Sequence, residues 1–374
     1  MDLQSITALI GEFEITGEPV SFTECKNGNI NKTYIVEMSS QRRYILQKVN
    51  ENVFKKPDEV MENIISVTAF LRRKIIQRGG DPTREVLTVI PAKSGGWATR
   101  GSDIDNHNDD SRGYWRVYDS IRDAVSHEII EREGQFYNAG YAFGDFQRIL
   151  DDFPAETLHE TIPNFHNTPS RYADFIAAVK ADRAGRVKSV AHEISFVEEN
   201  KWLCPLITDG IASGAFPLRV THNDTKLNNI MMDIETDAAV CVIDLDTVMP
   251  GSVLFDFGDA IRYGASNAAE DEADLSKVYI RPDLFEEFTR GFIDGLGGTL
   301  NEAETEALPI SVAVIALELA MRFLGDYLNG DTYFTIRYPE HNLVRARTQL
   351  KLVGDILEKR ELLESIVRDA LVRK

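Results

Sequence analysis

The segment from Val220 to Ile230 contains side chains whose types and spacing could do chemistry. His222 precedes Asp224 by two residues, and Asn229 follows Asp224 by five. In phosphoryl-transfer loops with this spacing, the aspartate orients the attacking hydroxyl and receives its proton, while the asparagine helps to hold a metal ion. We therefore predict His222 and Asp224 as catalytic residues. A turn rich in Asn, Asp and Thr is the alternative when the segment is considered alone.

A second acidic cluster follows a short apolar run. Val240–Ile243 is rich in β-branched residues, which predicts a buried strand, and Asp244 and Asp246 follow at its end. Because Mg²⁺ prefers oxygen ligands, we predict Asn229, Asp244 and Asp246 as a magnesium site. For Asp246, a second metal ligand and a carboxylate that supports the ligands are equally open. A strand that runs into a polar loop is the simpler alternative for the whole run.

The composition bounds the class of protein. The chain has 374 residues, of which 43% are hydrophobic and 27% charged, which is typical of a globular protein large enough for two lobes. Its net charge of −19 argues against a nucleic-acid or anionic-membrane partner, since both need a basic face. The start of the chain does not resemble a signal peptide, and three cysteines without paired spacing fit a reducing cytoplasm. We expect a monomer or a weak homodimer.

The two acidic motifs resemble those of the aminoglycoside-phosphotransferase-like kinase superfamily, and most closely the N-acetylhexosamine 1-kinases. The resemblance rests on the segments 222–229 and 243–259, with further likeness in 140–146, 162–168, 333–338 and 341–349. It implies an α+β, bilobal protein-kinase-like fold, with a small antiparallel-sheet N-lobe over residues 1–120 and a larger, mainly helical C-lobe over 121–374. It also implies ATP as the phosphate donor.

The same resemblance assigns further roles around the two motifs. Lys226 matches the position where protein kinases have a lysine that touches the transferred phosphate, although a solvated lysine is the alternative. Asp256 matches an aspartate that supports the catalytic loop. The segment from Asp119 to Ile121 would cross between the lobes and offer backbone groups to adenine.

Three strand-like runs near the N-terminus predict an antiparallel meander, over residues 20–26, 32–38 and 43–49. The turn Asn27-Gly28-Asn29 between the first two could cover the nucleotide, because glycine permits close approach of the backbone to phosphate oxygens. A plain hairpin is an equal alternative.

Lys48 is the predicted phosphate-contacting cation of the third strand. Strand alternation places Gln47 and Lys48 on opposite faces, so only one of them can point at the nucleotide, and a solvated Lys48 is the alternative. Glu59 or Glu62, on the helix predicted over 57–78, could pair with the lysine.

The remaining elements follow from periodicity. Runs at 85–91, 96–99 and 114–119 are predicted to complete the sheet, and an N-terminal helix is expected from Leu3 to about Phe13. From residue 131 onward the pattern is helical, with Gly140 and Gly144 spaced for close helix packing. Further helices are expected at 170–182, 194–209, 255–263, 282–296, 302–328 and 345–373.

The polar and aromatic residues of the predicted C-lobe include candidates for a sugar pocket, in which aromatic faces stack on the ring and charged groups bind hydroxyls. Packing or surface positions are the alternative for each one. The candidates are Phe165, His166, Thr168, Arg171, Arg322, Asp326, Tyr333, Arg337, Tyr338, His341 and Arg345.

The resemblance, together with the polar and aromatic residues from Tyr333 onward, implies an ATP- and Mg²⁺-dependent kinase that phosphorylates the anomeric hydroxyl of an N-acetylhexosamine or a related sugar. A kinase for choline, homoserine or an aminoglycoside is an alternative, although a choline site should show an aromatic cage with carboxylates. A catalytically silent nucleotide-binding regulator is a further alternative. Such a protein usually loses the base or a metal ligand, whereas Asp224, Asn229 and Asp244 are all present here.

Overall fold

The computed structural model describes residues 1–25, 30–101 and 113–372. The predicted mixed α+β class is confirmed. The strands are β1 Pro19–Cys25, β2 Lys32–Met38, β3 Arg43–Lys48, β4 Trp115–Asp119, β5 Ala124–Val125, β6 Arg219–Thr221, β7 Ile230–Asp233, β8 Ala239–Val242 and β9 Met249–Gly251. The helices are α1 Leu3–Ile10, α2 Pro57–Gln77, α3 Gln135–Ile149, α4 Thr168–Ala181, α5 Ala191–Asn200, α6 Leu206–Ser213, α7 Val253–Gly264, α8 Pro282–Leu296, α9 Glu302–Asn329, α10 His341–Glu358 and α11 Arg360–Val372.

The N-terminal sheet is antiparallel, with the order β1-β2-β3-β4. Strand alternation gives it two chemically different faces. Tyr44 and Leu46 of β3 point to the face that packs on α1, whereas Ile45 points to the other face. That second face shares an apolar cluster with α2, the end of α3 and the strands that flank the acidic motifs. The sheet therefore packs directly against the segments expected to do chemistry.

Two short strand groups in the C-terminal part present the acidic motifs. β6 pairs with β9, and β7 pairs with both β5 and β8. The loop 222–229 connects β6 to β7, and the segment 243–248 connects β8 to β9. Because these strands pair, the two acidic connections lie side by side. The proposed lobe boundary at residue 120 falls between β4 and β5 and stays a prediction.

Several predicted elements differ from the structure. The runs at 85–91 and 96–99 form only isolated bridges, such as Val89 with Tyr118 and Thr99 with Trp115. The helix predicted over 194–209 is divided into α5 and α6 around Pro205, whose ring and missing N–H do not fit a helix interior. The helix predicted over 345–373 is two helices separated at Lys359.

Among the described residues, α9 is the one helix that is long and apolar enough to cross a membrane, and 78% of its apolar window is buried inside the protein. Its N-terminus carries a capping box, in which Asn301 and Glu304 each bind the other's backbone N–H. The Glu304 carboxylate also accepts two bonds from Arg219, at 2.7 and 2.9 Å. Arg219 begins β6, so the core helix fixes the strand that leads into the 222–229 loop.

The predicted close packing at Gly140 and Gly144 is confirmed. A Cβ added at Gly144 of α3 would meet the backbone of Phe292 and Leu296 in α8, and one added at Gly291 of α8 would meet the backbone of Tyr137 in α3. The two helices therefore pack backbone to backbone. No flexible side chain stands between them at these positions to relieve a clash.

We expect Gly144→Ala to lower the free energy of unfolding by about 1–3 kcal/mol, because the new methyl group overpacks this helix pair. Gly354→Ala in α10 is the matched control, since a Cβ there would make only ordinary contacts with Phe196. Because alanine has a higher helix propensity than glycine, Gly354→Ala should leave the free energy of unfolding unchanged or raise it by up to about 1 kcal/mol. Urea unfolding of both variants measures the difference, and equal stability would contradict the packing argument.

Candidate functional site

Asp256 fixes the backbone of the 222–229 loop by accepting hydrogen bonds from it. Its buried carboxylate, in the first turn of α7, accepts the N–H groups of His222 at 3.0 Å and Asn223 at 2.7 Å. The side-chain amide of Gln147 donates a third bond at 2.6 Å. These donors hold Asn223 at a φ of 65°, a left-handed conformation that turns the chain sharply before Asp224. The supporting role expected for Asp256 agrees with this geometry.

His222 is fully buried, and both ring nitrogens bind backbone groups. Nε2 lies 2.8 Å from the carbonyl oxygen of Ile243, and Nδ1 accepts the N–H of Asp224 at 3.3 Å. This network assigns the proton to Nε2. Since Ile243 directly precedes Asp244, the imidazole connects the two acidic segments. His222 is therefore a positioning residue, and the prediction that it is catalytic is corrected.

Asp224 lies in the region where the 222–229 loop and the 243–248 segment lie side by side, called the cleft below. About a quarter of its side chain is exposed. Lys226 Nζ lies 2.6 Å from one carboxylate oxygen, and the amide nitrogen of Asn229 donates to the other at 3.0 Å. Burial works against the charge on Lys226, but the carboxylates of Asp224 and Asp259 outweigh it and raise the lysine pKa. A held carboxylate beside a permanent cation can orient a hydroxyl and meet a phosphoryl group.

Asp244 follows β8 in a left-handed conformation, with φ 58° and ψ 59°. Its side chain is exposed, although protein atoms surround the carboxylate on most sides. This desolvation, followed by the charges of Asp246 and Asp224, raises the pKa of Asp244 to about 7. The N–H of Ile243 binds the carbonyl oxygen of Asn229 at 2.9 Å, so the two predicted ligand residues lie on adjacent backbones. Neighbouring carboxylates repel one another when all are ionised, and a bound divalent cation would reduce that repulsion. The oxygen ligands present here therefore fit Mg²⁺.

Asp246 is buried, and both of its carboxylate oxygens have partners in the protein. Arg116 lies 2.6 Å from Oδ1, and the amide nitrogen of Asn31 donates to Oδ2 at 2.6 Å. Of the two readings left open by the sequence, this geometry favours the supporting carboxylate. We therefore no longer count Asp246 among the direct metal ligands.

Arg116 is a residue that sequence reasoning missed. The side chain comes from β4 and is fully buried, and its guanidinium donates to Gln47 Oε1 at 3.1 and 2.9 Å while it pairs with Asp246. Burial opposes the charge, but Asp246 outweighs it and raises the arginine pKa. The available signal was an arginine inside the otherwise apolar and aromatic run Tyr114–Tyr118.

The prediction that Lys48 points at the phosphates is wrong. Lys48 lies on the α1 face of β3, the face of Tyr44 and Leu46, and its Nζ lies 5.8 Å from the ring centroid of Trp115. Gln47 lies on the opposite face with Arg116. The two glutamates considered as lysine partners are also engaged elsewhere, because Glu59 pairs with Lys56 and Glu62 with His159.

The remaining nucleotide candidates are less defined. Asp119 ends β4, its carboxylate pairs with Arg42 at 2.6 Å, and its N–H binds the carbonyl oxygen of Thr88 at 2.9 Å. Its role beside an adenine stays a prediction. Ile121 packs against the apolar cluster beneath the acidic motifs. The predicted turn Asn27-Gly28-Asn29 lies outside the described residues.

A chain of ion pairs leads from the 222–229 loop toward the predicted substrate residues. The carboxylate of Asp259 accepts the N–H of Thr225 at 3.2 Å and pairs with Arg262 at 2.8 Å. Arg262 also approaches Glu270 at 3.3 Å, and Glu270 binds Arg345 at 2.6 Å. Burial would raise the pKa of Asp259, but Arg262 and Lys226 outweigh it and hold the pKa below its usual value. Asp259, Arg262 and Glu270 are residues that sequence reasoning missed.

Four predicted substrate residues lie around an aromatic cluster at the far end of these ion pairs. The Arg345 guanidinium lies 5.3 Å from the ring centroid of Phe334, and the Arg322 guanidinium lies 5.5 Å from it. Arg322 also lies 6.0 Å from the ring of Phe165, whose carbonyl oxygen accepts a bond from Arg171 at 3.3 Å. The structure thus brings Phe165, Arg171, Arg322 and Arg345 together, with Phe334 as an aromatic partner not named in advance.

His166, next to Phe165 in the sequence, is held by contacts with Glu318 and Phe255. Its Nδ1 lies 2.8 Å from Glu318, which also accepts the hydroxyl of Thr168 at 2.6 Å, and its ring stacks on Phe255 at 4.9 Å. Its Nε2 is buried and has no hydrogen-bond partner among the described residues. Glu318 is buried on α9, and a glutamate within an otherwise apolar run was the available signal.

Further candidates lie in the segment 331–340 or next to it. Tyr333 is mostly exposed, and its N–H binds the buried carboxylate of Asp326 at 2.9 Å, which gives Asp326 a structural role. Arg337 is 79% exposed and lies 3.6 Å from Asp271. His341 is buried and lies 3.2 Å from the same carboxylate. Arg337 and His341 therefore meet at Asp271, separate from the aromatic cluster.

We expect Asp244→Asn to stabilise the metal-free protein slightly, and more at pH 8 than at pH 5.5. A carboxyl whose pKa is raised on folding stabilises the fold below its unfolded pKa and loses that contribution as the pH rises toward about 7. Since solvent screens this open side chain, the gain at pH 8 should be only about 0.5 kcal/mol. Urea unfolding in EDTA at both pH values measures it, and a variant destabilised at pH 8 would contradict the crowding of charge.

Comparisons with known proteins show the family and the fold. Residues 21–286 match the model of the phosphotransferase enzyme family. An amicoumacin kinase in complex with AMP-PNP, Ca²⁺ and Ami has 13% sequence identity and a TM-score of 0.54, with 94% of this chain and 93% of the other covered. Spectinomycin phosphotransferase in complex with ADP and spectinomycin has 14% identity and a TM-score of 0.54, covering 96% and 98%.

A choline kinase from Cryptosporidium parvum has 12% identity and a TM-score of 0.54, covering 97% of this chain and 96% of the other. At these identities the solved structures show a shared fold, while the family match extends over most of the chain and includes both acidic motifs. This chain therefore belongs to the phosphotransferase enzyme family.

Proposed function

We propose that the protein is an ATP- and Mg²⁺-dependent kinase that phosphorylates the anomeric hydroxyl of an N-acetylhexosamine, such as N-acetylglucosamine or N-acetylgalactosamine, or of a related sugar. The observation that carries the proposal is the connection between Asp224 and the arginine and aromatic cluster around Arg322 and Phe334, made by the ion pairs of Asp259, Arg262 and Glu270. ATP as the donor is supported by the nucleotides bound in similar structures.

The residues of the chain divide the work of phosphoryl transfer among them. Asp224 orients the acceptor hydroxyl and receives its proton, and Lys226, held against Asp224, brings positive charge to the transferred group. Asn229 and Asp244 would hold Mg²⁺, which would supply positive charge to neutralise the phosphate groups. Asp256 and His222 keep the loop backbone in place, so the acceptor meets a site that needs little rearrangement.

The charges beside the aromatic rings favour a hydroxyl-rich acceptor over an organic cation. Arg171 and Arg322 lie close enough for the charge of Arg322 to lower the pKa of Arg171, after the larger effect of burial. A choline or a polyamine would be repelled by this pair, whereas sugar hydroxyls and an acetamido oxygen can accept hydrogen bonds from it. Phe165 and Phe334 offer faces for the apolar side of a pyranose.

Two functions other than a sugar kinase remain as alternatives. A kinase for choline, homoserine or an aminoglycoside would share the fold and Asp224. A silent nucleotide-binding regulator would share the fold alone. We retain the earlier expectations of a cytoplasmic location and of a monomer or weak homodimer as proposals.

We expect Asp224→Asn to lower kcat by about two to four orders of magnitude while the Kd for nucleotide stays within about threefold, because the change removes proton acceptance and keeps the side-chain shape. Asp369→Asn, at an exposed position of α11, is the matched control and should leave kcat unchanged. Single-turnover kinetics and calorimetry give the two quantities. Rapid turnover by Asp224→Asn would remove this residue from its role.

Phosphorus NMR of the product tests the acceptor. With ATP, Mg²⁺ and N-acetylglucosamine or N-acetylgalactosamine we expect a sugar 1-phosphate, because an anomeric hydroxyl is more acidic than a primary one and asks less of the Asp224 carboxylate. Arg322→Gln should raise KM for the sugar about tenfold and KM for ATP less than twofold. Arg368→Gln, on the exposed side of α11, is the control for lost charge.

The outcomes separate substrate from reaction class. A sugar 6-phosphate, or brisk phosphorylation of choline or homoserine without sugar turnover, would overturn the 1-kinase proposal and leave the family assignment intact. Equal effects of Arg322→Gln and Arg368→Gln on the sugar KM would remove the aromatic cluster from the acceptor site.

A further inference from the structure

A small cavity borders the 222–229 loop. Its volume is about 150 Å³, and Asn223, the residue directly before Asp224, forms part of its wall. Phe165 forms another part, and the ring of Phe165 also lies beside the Arg322 guanidinium. The cavity therefore adjoins both the loop of the proposed base and the aromatic cluster. Its lining also includes His166, Leu218, Met249 and Phe255.

The wall of this cavity is mainly apolar, and most of its polar side chains already have partners in the protein. Those with partners are Glu160, Asn167, Thr208 and Asn223. An apolar cavity of about 150 Å³ is large enough for a group the size of benzene. The cavity thus suits a small, mostly apolar group.

His166 contributes the exception to this pattern. Its side chain is nine-tenths buried, and its Nε2 has no hydrogen-bond partner within residues 1–25, 30–101 and 113–372. Burial would raise the pKa of Glu318, but its contacts with His166 and Thr168 outweigh burial and lower the pKa. Glu318 is therefore a carboxylate that accepts the proton of Nδ1, at 2.8 Å. Nε2 is the ring nitrogen left for a ligand.

An acetamido group matches both features of the cavity. It has an N–H and a carbonyl oxygen, so it can pair with Nε2 whether the imidazole is neutral or protonated. Its methyl group gains free energy from leaving water for an apolar wall. In an N-acetylhexosamine the acetamido group is on the carbon next to the anomeric carbon. If the anomeric hydroxyl meets Asp224, that group must lie close to the same loop, where Asn223 lines the cavity.

We infer that this cavity is the subsite for the N-acyl group of the acceptor, in which His166 Nε2 binds the amide and the acyl chain packs on Phe255 and Met249. This inference rests on the proposed function, because it takes an N-acetylhexosamine as the acceptor. Glu318 is a positioning residue in this subsite, since it fixes the ring through Nδ1. An acceptor without an acyl group leaves Nε2 unpaired, which gives the site its preference.

Binding of sugars with and without the N-acyl group tests the inference. N-acetylglucosamine and 2-deoxyglucose share the ring and the anomeric hydroxyl, and only the first has the acetamido group. Their Kd values are measured by ligand-detected NMR with saturating ADP. The double variant His166→Phe with Glu318→Gln keeps a ring against Phe255 and leaves no buried charge unpaired. Leu218→Trp fills the cavity from its exposed rim, and Leu362→Trp, at an equally exposed position of α11, is the matched control.

We expect the wild type to bind N-acetylglucosamine at least about tenfold more tightly than 2-deoxyglucose, with the strongest saturation transfer at the acetyl methyl protons. The double variant and Leu218→Trp should each bind N-acetylglucosamine about tenfold more weakly, because one loses the hydrogen bond and the other the space. Both should bind 2-deoxyglucose within about twofold of the wild type. Leu362→Trp should match the wild type for both sugars, and near-ultraviolet circular dichroism verifies that each variant is folded.

The results that overturn the inference are distinct from those that overturn the function. Equal wild-type affinity for the two sugars, cavity variants that keep the wild-type preference, or cavity variants that lose both sugars equally would each reject the acyl subsite alone. A loss in only one of the two cavity variants would also reject it, because the acyl group contacts the imidazole and the wall together. A wild-type protein that binds neither sugar but phosphorylates choline or homoserine would reject the proposed function, and this inference with it.

Discussion

The structure depends on holding several carboxylates closer together than their charges favour. Asp224, Asp244 and Asp246 come from two strand connections, and each has a different device that keeps it in place. Asp224 is held by Lys226 and Asn229, and Asp246 by Arg116 and Asn31. Asp244 is left open, in a left-handed backbone conformation, with a pKa raised to about 7 by desolvation and by its acidic neighbours. The charge that the fold does not neutralise there is the charge available to a metal ion.

This arrangement requires a rigid base, and the helical part of the chain provides it. Asp256 on α7 binds the loop backbone, and α7 packs on the buried helix α9. At its N-terminus, α9 uses Glu304 both in a capping box and in a bidentate pair with Arg219, the first residue of β6. A change at the end of a core helix would thus be felt at the catalytic loop, although the two are far apart in the sequence.

Motif spacing and helix periodicity were sufficient for much of this protein. α8 was predicted at both ends because Pro282 begins it and Gly297 follows it, and both residues act locally. The proposed roles of Asp224 and Asn229 rest on their spacing. The face of the sheet on which a side chain lies was harder to predict. Lys48 was chosen for its charge, but Tyr44 and Leu46 lie on the α1 face, so strand alternation places Lys48 on that face and away from the cleft. Arg116 depends on a partner 130 positions away, Asp246, which no local pattern shows. His341 and Asp326 were predicted as substrate residues, and the structure gives each of them a buried contact that anchors a loop. A buried polar residue has the same sequence signature whether it anchors a loop or binds a ligand.

The central claim is that Asp244 and its neighbours form a site for a divalent cation beside a nucleotide. Mn²⁺ is a suitable probe, because it takes oxygen ligands as Mg²⁺ does and its paramagnetic resonance signal distinguishes free from bound ion. Titration of Mn²⁺ into the protein with ADP should show bound ion for the wild type and for Lys48→Met, and a loss of at least about tenfold in affinity for Asp244→Asn. Wild-type affinity for Mn²⁺ in Asp244→Asn would contradict the account.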